Sequence, residues 1–550
     1  MSTEPQFDFI VVGGGSSGCV LAGELAADRD TRVLVLELGD RAEDHPETLA
    51  ADGYKKAFIN PRLLFERFTV PQRGAAGHRL FAGTGRVVGG SGAVNAMVYT
   101  RGAAFDFAAW GVDGWRWNDV RPTFEAVERT LRVRRVGPTE FCEAAIAGAE
   151  EAGFRRKEDL NDGDLAGYLG YEWMNLDVEA NERRNGYVAF LRPRLAQGNV
   201  TLETGARARR VLFDDMRRAV GVEYDDAAGR RRIARARREV ILCAGALETP
   251  RLLMLSGVGE PAQLRQHGID VVAEVPAVGE NLHDHPNVQV FSLGKKESDS
   301  HWAQLYGFHR AHPGGPLAPG EADTCYVFYS ARTSFREGMM RLLPGMVLPP
   351  SLYRRGWPVR AMRGGIAGLF RVPGVQQFVN RIWGVVVILG KPASRGTVRL
   401  ASADPHDDAL VDPAYFSVES DLETMVHGVR LARRIAGSAA LQAWGARELM
   451  PGPLAQSDEA IGKWVRKNAM TTYHFAGTCR MTTTGQEREA VVDARLRVRG
   501  VSGLRVADAS VVPWTPVSAM NAPSMLVGAR AAALIAEEQA RVGRAQRVAR

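Results

Sequence analysis

Two features of this 550-residue chain could do chemistry, and they lie at opposite ends of it. Near the C-terminus, His474 sits in Tyr473-His474-Phe475-Ala476-Gly477-Thr478-Cys479-Arg480-Met481. A neutral imidazole can take a proton from a weakly acidic group held within hydrogen-bond reach. Near the N-terminus, Gly13-Gly14-Gly15-Ser16-Ser17-Gly18 has the spacing of a loop that cradles phosphates. A nucleotide site and a general base so far apart in sequence require a fold that joins the two ends. Taken alone, a single histidine is most often a satisfied structural residue, so His474 needs further support.

The glycine loop has the right surroundings. Asp8-Phe9-Ile10-Val11-Val12 reads as a short buried strand that runs straight into it. From Ser16 to Ala27 the pattern turns helical, with Val20, Leu21 and Leu25 able to share a face. Arg32-Val33-Leu34-Val35-Leu36 reads as a second strand, ending in Glu37. Together they make a β-α-β unit of about 30 residues. Gly13 permits the tight turn, Gly15 lets the backbone approach a pyrophosphate, and Gly18 allows close helix–strand packing. Ser16 and Ser17 open the helix, whose free N–H groups and positive dipole end favour phosphate. Glu37 can accept hydrogen bonds from an unphosphorylated ribose, which favours FAD or NAD over NADP. The unit does not separate the first two.

Composition bounds the rest. A chain of 550 residues, 45% hydrophobic and 24% charged, is a soluble globular protein of two or three domains. The net charge of +7 is concentrated in Arg207 to Arg238 and after Arg541. No nucleic-acid recognition motif accompanies it, so it reads as a solvated surface and nucleic acid is not an expected partner. Five cysteines without a C-x-x-C pair argue for reduced thiols. His283-Asp284-His285 offers two histidines without a third ligand, so no metal is expected. With neither a signal peptide nor a long apolar span, the expected location is cytoplasmic.

Further segments resemble a known family, the glucose–methanol–choline (GMC) oxidoreductases. Gly85-Arg86-Val87-Val88-Gly89-Gly90-Ser91-Gly92-Ala93-Val94-Asn95-Ala96-Met97-Val98-Tyr99-Thr100-Arg101-Gly102 is similar to its first signature. Gly245 to Gly259 is similar to its second, and Gly279-Glu280-Asn281-Leu282-His283-Asp284-His285 to another family stretch. Gly503-Leu504-Arg505-Val506-Ala507-Asp508-Ala509-Ser510, with Asn521 opening a helix, completes the set. The pattern is nearest to the choline and alcohol dehydrogenase-like members, and it is weakest between Ser300 and Trp383.

The resemblance implies an α/β fold (α+β overall): a Rossmann-like FAD-binding domain and a discontinuous substrate domain on an antiparallel sheet. Residues 1–160, 192–286 and 464–550 would form the first, and 161–191 with 287–463 the second. It places Arg86, Val88, Gly90, Asn95, Ala96, Met97, Val98 and Ala208 along the cofactor, and Asp508 and Ala509 near its ribityl and phosphate region. Members with a histidyl-linked flavin carry a histidine where this chain has Val94, so non-covalent FAD is expected. The helix from Asn521 would aim its positive end at the flavin's pyrimidine edge, favouring the reduced anion.

The same resemblance gives His474 a role. It would remove the hydroxyl proton of an alcohol as hydride leaves the carbon for flavin N5, while Asn521 holds the oxygen. Photodecarboxylase members lack this histidine, which argues against their chemistry here. The electrons would pass to a quinone or to O2; polar Thr472, two residues before the base, tilts the reading toward a dehydrogenase. A flavin-binding sensor and a non-redox lyase of the same fold are the alternatives.

Gly384–Leu389 and Gly396–Leu400 read as neighbouring strands joined by Pro392 to Arg395. His312–Pro316 with Pro319-Gly320 reads as a loop or lid. Residues 342–378 mix prolines, arginines and apolar side chains. They read as a lid over the active site, or as a peripheral contact with the inner face of a membrane.

Overall fold

The computed structural model describes residues 6–482 and 487–548; the side chains after Arg541 lie outside the described residues. At its N-terminal end, β1 (Gln6–Val12) leads into α1 (Ser16–Leu25) and then β2 (Val33–Leu36). The strands run parallel, with Phe9 opposite Val33 and Val12 opposite Leu36. Their β-branched and aliphatic side chains are buried on both faces, as a parallel sheet covered by helices requires. Beyond β2 lies β3 (Val200–Glu203), and beyond β1 come β6 (Arg231–Leu242), β5 (Ala219–Asp225) and β4 (Arg207–Phe213), in the order β3-β2-β1-β6-β5-β4. The arginines of this region are largely spent in ion pairs such as Arg209–Asp225 at 2.8 Å and Arg210–Glu223 at 2.6 Å.

The C-terminal segment enters the same sheet. Strand Leu504–Val506 lies parallel to β6, Val240 opposite Leu504 and Leu242 opposite Val506. Val506 and Asp508 are thereby delivered to the end of the sheet where the glycine loop turns.

The second sheet is antiparallel around β7 (Pro286–Leu293), β8 (Leu305–His309), β9 (Thr324–Ser330) and β10 (Ile382–Leu389), in the order β7-β10-β9-β8. Between β9 and β10 the chain forms α2 (Ala331–Val347) and α3 (Trp357–Leu369). Helices Glu140–Glu151 and Glu419–Ala436 pack on this sheet, with Phe141, Ile146, Val385, Val387, Met425 and Val429 in one core. The expected division gave residues 140–156 to the first domain. Their apolar face packs with the second sheet instead, and Arg155–Arg156 pairs with Tyr168–Tyr171 at its edge.

The expected pairing of Gly384–Leu389 with Gly396–Leu400 does not occur. The first segment lies in β10, between β7 and β9, whereas Thr397–Arg399 pairs with Leu410–Asp412 in a separate ribbon. Gly396 is held so close to the Asp412 carbonyl that a Cβ would stand 1.7 Å from its oxygen, which commits the segment to that ribbon. Residues 310–323 do form a loop, between β8 and β9, but none of them lines the central cavity.

Helix α4 (Asn521–Val548) packs along α1. A Cβ on Gly528 would lie 2.3 Å from the Ser17 carbonyl oxygen, so glycine is what lets the helices approach. The Ser17 hydroxyl donates to the Ser524 carbonyl at 2.7 Å, fixing the two N-termini side by side.

Candidate active site

A cavity of about 540 Å³ runs between the two sheets. Gly13, Gly15, Ser16, Ser17, Glu37, Ala208, Asp508 and Ala509 line it, as do Gly90, Asn95, Ala96, Met97 and Val98. His474 and Asn521 face the same space. Three expected residues do not line it. Gly18 sits behind the loop, where a Cβ would be 1.9 Å from the Gly13 carbonyl oxygen. Val88 is wholly buried in the first core, its N–H donating to the Asp40 carbonyl at 3.0 Å. Arg86 stands off the wall, its charge acting on Glu37.

At the nucleotide end, Glu37 accepts the Gly14 N–H at 2.8 Å and the Gly39 N–H at 2.7 Å. Burial outweighs these bonds and pushes its carboxyl up to about 7. Asp508 accepts from the Thr249 hydroxyl at 2.6 Å and the Gly245 N–H at 2.9 Å, and burial also raises it. Helix α1 begins with neither a capping side chain nor an acidic residue in its first turn, so its N–H groups remain available to an anion.

At the other end, a buried carboxylate holds the His474 backbone. Asp284 accepts from the Tyr415 hydroxyl at 2.5 Å, the Thr471 hydroxyl at 2.5 Å and the His474 N–H at 2.6 Å. Burial raises its carboxyl to about 6 against all of these donors. Tyr473, just before His474, has φ +62°, a left-handed conformation that a tyrosine adopts only under constraint. His474 Nδ1 meets His285 Nδ1 at 3.0 Å, with the rings nearly perpendicular at 85°. Burial lowers the His474 imidazole to about 4 and holds His285 well below its ordinary range.

The His-x-His pair therefore splits. His283 Nδ1 bonds the Asn281 carbonyl at 2.7 Å and its Nε2 accepts the Thr515 N–H at 3.1 Å, so both nitrogens serve the backbone. His285 turns to the cavity and to His474. Sequence reasoning missed this contact, and also the lining residues Tyr306, Cys325, Ile388, Phe58 and Lys55, and the Asp284 clamp. Alternation in β8, β9 and β10 could have marked which residues share a face, but not which face meets the flavin end.

Among the described residues, the buried amide nitrogen of Asn521 has no hydrogen-bond partner, although Asn521 opens a helix and faces the cavity. Gly245, at φ +86°, would project a Cβ into open space on the same wall. An orphaned donor, an uncapped helix terminus and an open glycine wall suit a large dinucleotide with a polar ring. Residues 7–287 and 392–528 match the N- and C-terminal sequence profiles described as GMC oxidoreductase. The chain belongs to the GMC oxidoreductase family. It is an FAD flavoprotein and oxidoreductase of mixed helix and sheet. It is 32% identical to the fatty acid photodecarboxylase of Chlamydomonas reinhardtii, covering 96% of this chain and 90% of that one. It is 34% identical to the mitochondrial choline dehydrogenase of Homo sapiens over the same shares. Against the alcohol dehydrogenase [acceptor] of Pseudomonas putida it is 32% identical, covering 96% of both. Among solved structures, pyridoxine 4-oxidase from Mesorbium loti superposes with a TM-score of 0.80 at 26% identity, over 96% of this chain and 98% of that one.

Proposed function

We propose that this GMC oxidoreductase oxidises an alcohol to an aldehyde or ketone, with His474 as the base and Asn521 positioning the oxygen. The observation that carries the reading is one cavity that runs from the glycine loop to the His474 ring. The bound FAD supplies a two-electron acceptor at N5. The residues do the rest. The Nδ1–Nδ1 contact requires one ring to donate. With His474 donating to His285, the His474 Nε2 lone pair is left for the substrate hydroxyl. The low affinity of both rings for a second proton keeps that lone pair free at neutral pH. Asp284 fixes the backbone of the base, and the Asn521 amide offers its free N–H to the alcohol oxygen or the flavin edge.

Val94 lines the cavity and has no atom able to bond a flavin carbon, which supports dissociable FAD. Thr472 donates its hydroxyl to the His285 carbonyl at 2.8 Å and also faces the cavity. A polar group there favours a quinone-like acceptor over O2.

An anaerobic titration with alcohols, from choline to long-chain and aromatic ones, tests the reading. At least one should bleach the oxidised flavin band. A flavin that no alcohol reduces would favour a sensor, and turnover without bleaching would favour a lyase. Reoxidation by a quinone analogue should outpace reoxidation by air.

A further inference from the structure

The segment between β9 and β10 presents a surface that the oxidative reading does not use. Helix α3 buries Pro358, Val359 and Ile366, and Ile366 joins a small core with Phe291, Phe370 and Val379. Its other face is bare. Trp357 is 60% exposed and Leu369 49%, and Phe378 just beyond is 46% exposed, too much apolar surface on one element for an ordinary solvated helix. Between the two apolar ends, Gly364, Gly365 and Gly368 have nothing near the place a Cβ would occupy, so the face is flat.

Charge selects the partner. Arg354, Arg355, Arg360 and Arg371 are exposed around this face, and none forms an ion pair among the described residues. No aspartate or glutamate occurs between Glu337 and Asp404. Glu66, which takes the Tyr353 hydroxyl, and Glu297, which takes the Asn380 amide, are the acids that reach this region from other elements, and neither pairs with these four arginines. Exposed aromatic and aliphatic side chains beside unneutralised arginines are complementary to an anionic phospholipid surface.

Its position gives the contact a purpose. Helix α3 packs on α2, and α2 carries Ser334 and Glu337, which with Lys55 line the cavity. All three are half-buried. The same cavity is also lined by the largely apolar Phe58, Tyr306, Cys325 and Ile388.

We propose that the outer face of α3 docks on an anionic phospholipid bilayer and sets the cavity mouth at its surface, so that the site draws a lipophilic alcohol from the lipid phase. The lipid-borne substrate rests on the oxidative reading above; the docking does not.

The test is co-sedimentation of the full-length holoprotein with vesicles of phosphatidylglycerol and phosphatidylcholine, and with phosphatidylcholine alone. Binding should require the anionic lipid and weaken in high salt. Each arginine at such a surface is worth roughly fivefold in partitioning, so Arg354→Gln with Arg355→Gln should weaken binding roughly 25-fold. Trp357→Ser should weaken it as well. Both variants should keep turnover of a short, water-soluble alcohol while losing turnover of a long-chain one presented in vesicles. Failure to bind anionic vesicles, or variants that bind like the parent, would overturn the docking. So would a parent dimer in solution that Trp357→Ser dissociates, because the face would then be covered by a second copy. A protein that binds vesicles but whose flavin no alcohol bleaches would keep the docking and remove the oxidative reading.

Discussion

The acid limb of the pH profile tests the proposed base most directly. An ordinary imidazole titrates near 6.5, and burial takes that of His474 down to about 4. At pH 5.5 an unperturbed histidine would be only about 10% unprotonated, whereas one titrating near 4 would be about 97% unprotonated. The rate constant for flavin reduction, measured anaerobically by stopped flow from pH 4.5 to 8, should therefore stay nearly level down to pH 5.5. The same displacement affects stability. The folded ring prefers to be neutral, so its contribution is fully present above pH 6.5. It is lost as pH falls through the window between 6.5 and about 4, where the unfolded chain takes the proton and the folded one does not. Over that window the loss is about 3 kcal/mol. A reduction rate that falls off with an apparent pKa of 6.5 or higher, in a protein still folded and holding FAD, would refute the argument. Either His474 would not be the base, or its ring would see far more water than the fold allows.

Other outcomes follow from the same geometry. His474→Ala should cut alcohol turnover by roughly 10²-fold or more with FAD still bound, and Asn521→Ala should slow flavin reduction less; comparing reduction rates with flavin absorbance separates chemistry from lost cofactor. Acid precipitation should release all of the FAD into the supernatant, because Val94 offers no point of attachment; yellow colour retained in the pellet would contradict this. Asp284→Ala would strand the Tyr415 and Thr471 hydroxyls and the His474 N–H, costing roughly 3 kcal/mol or more, visible as a lowered melting temperature.

What could be read from the sequence was local or tied to a long motif. The strand, glycine turn and helix from Asp8 to Leu25 follow from short-range periodicity, and α1 begins at Ser16 as the pattern suggests. Asn521 opens a helix for the same reason. The partner of His474 could not be read, because His285 lies 189 residues away and its neighbour His283 looks identical to it in sequence. Only the fold turns one ring to the backbone and the other to the cavity. The pairing of Thr397–Arg399 was misread because propensity marks a strand without naming its partner; the close approach of Gly396 to Asp412 decides that. Residues 140–156 fell within the expected first domain, whereas their apolar side chains pack in the core of the second sheet.

Strand Leu504–Val506 closes the first sheet beside β6, and α4 then seals the phosphate end against α1. A ribosome making this chain completes the opening β-α-β unit nearly 500 residues before it reaches these pieces. A chain cut short before Leu504 would lack both the strand that carries Asp508 to the phosphate end and the helix that lies along α1, and so would hold the vitamin-derived group poorly.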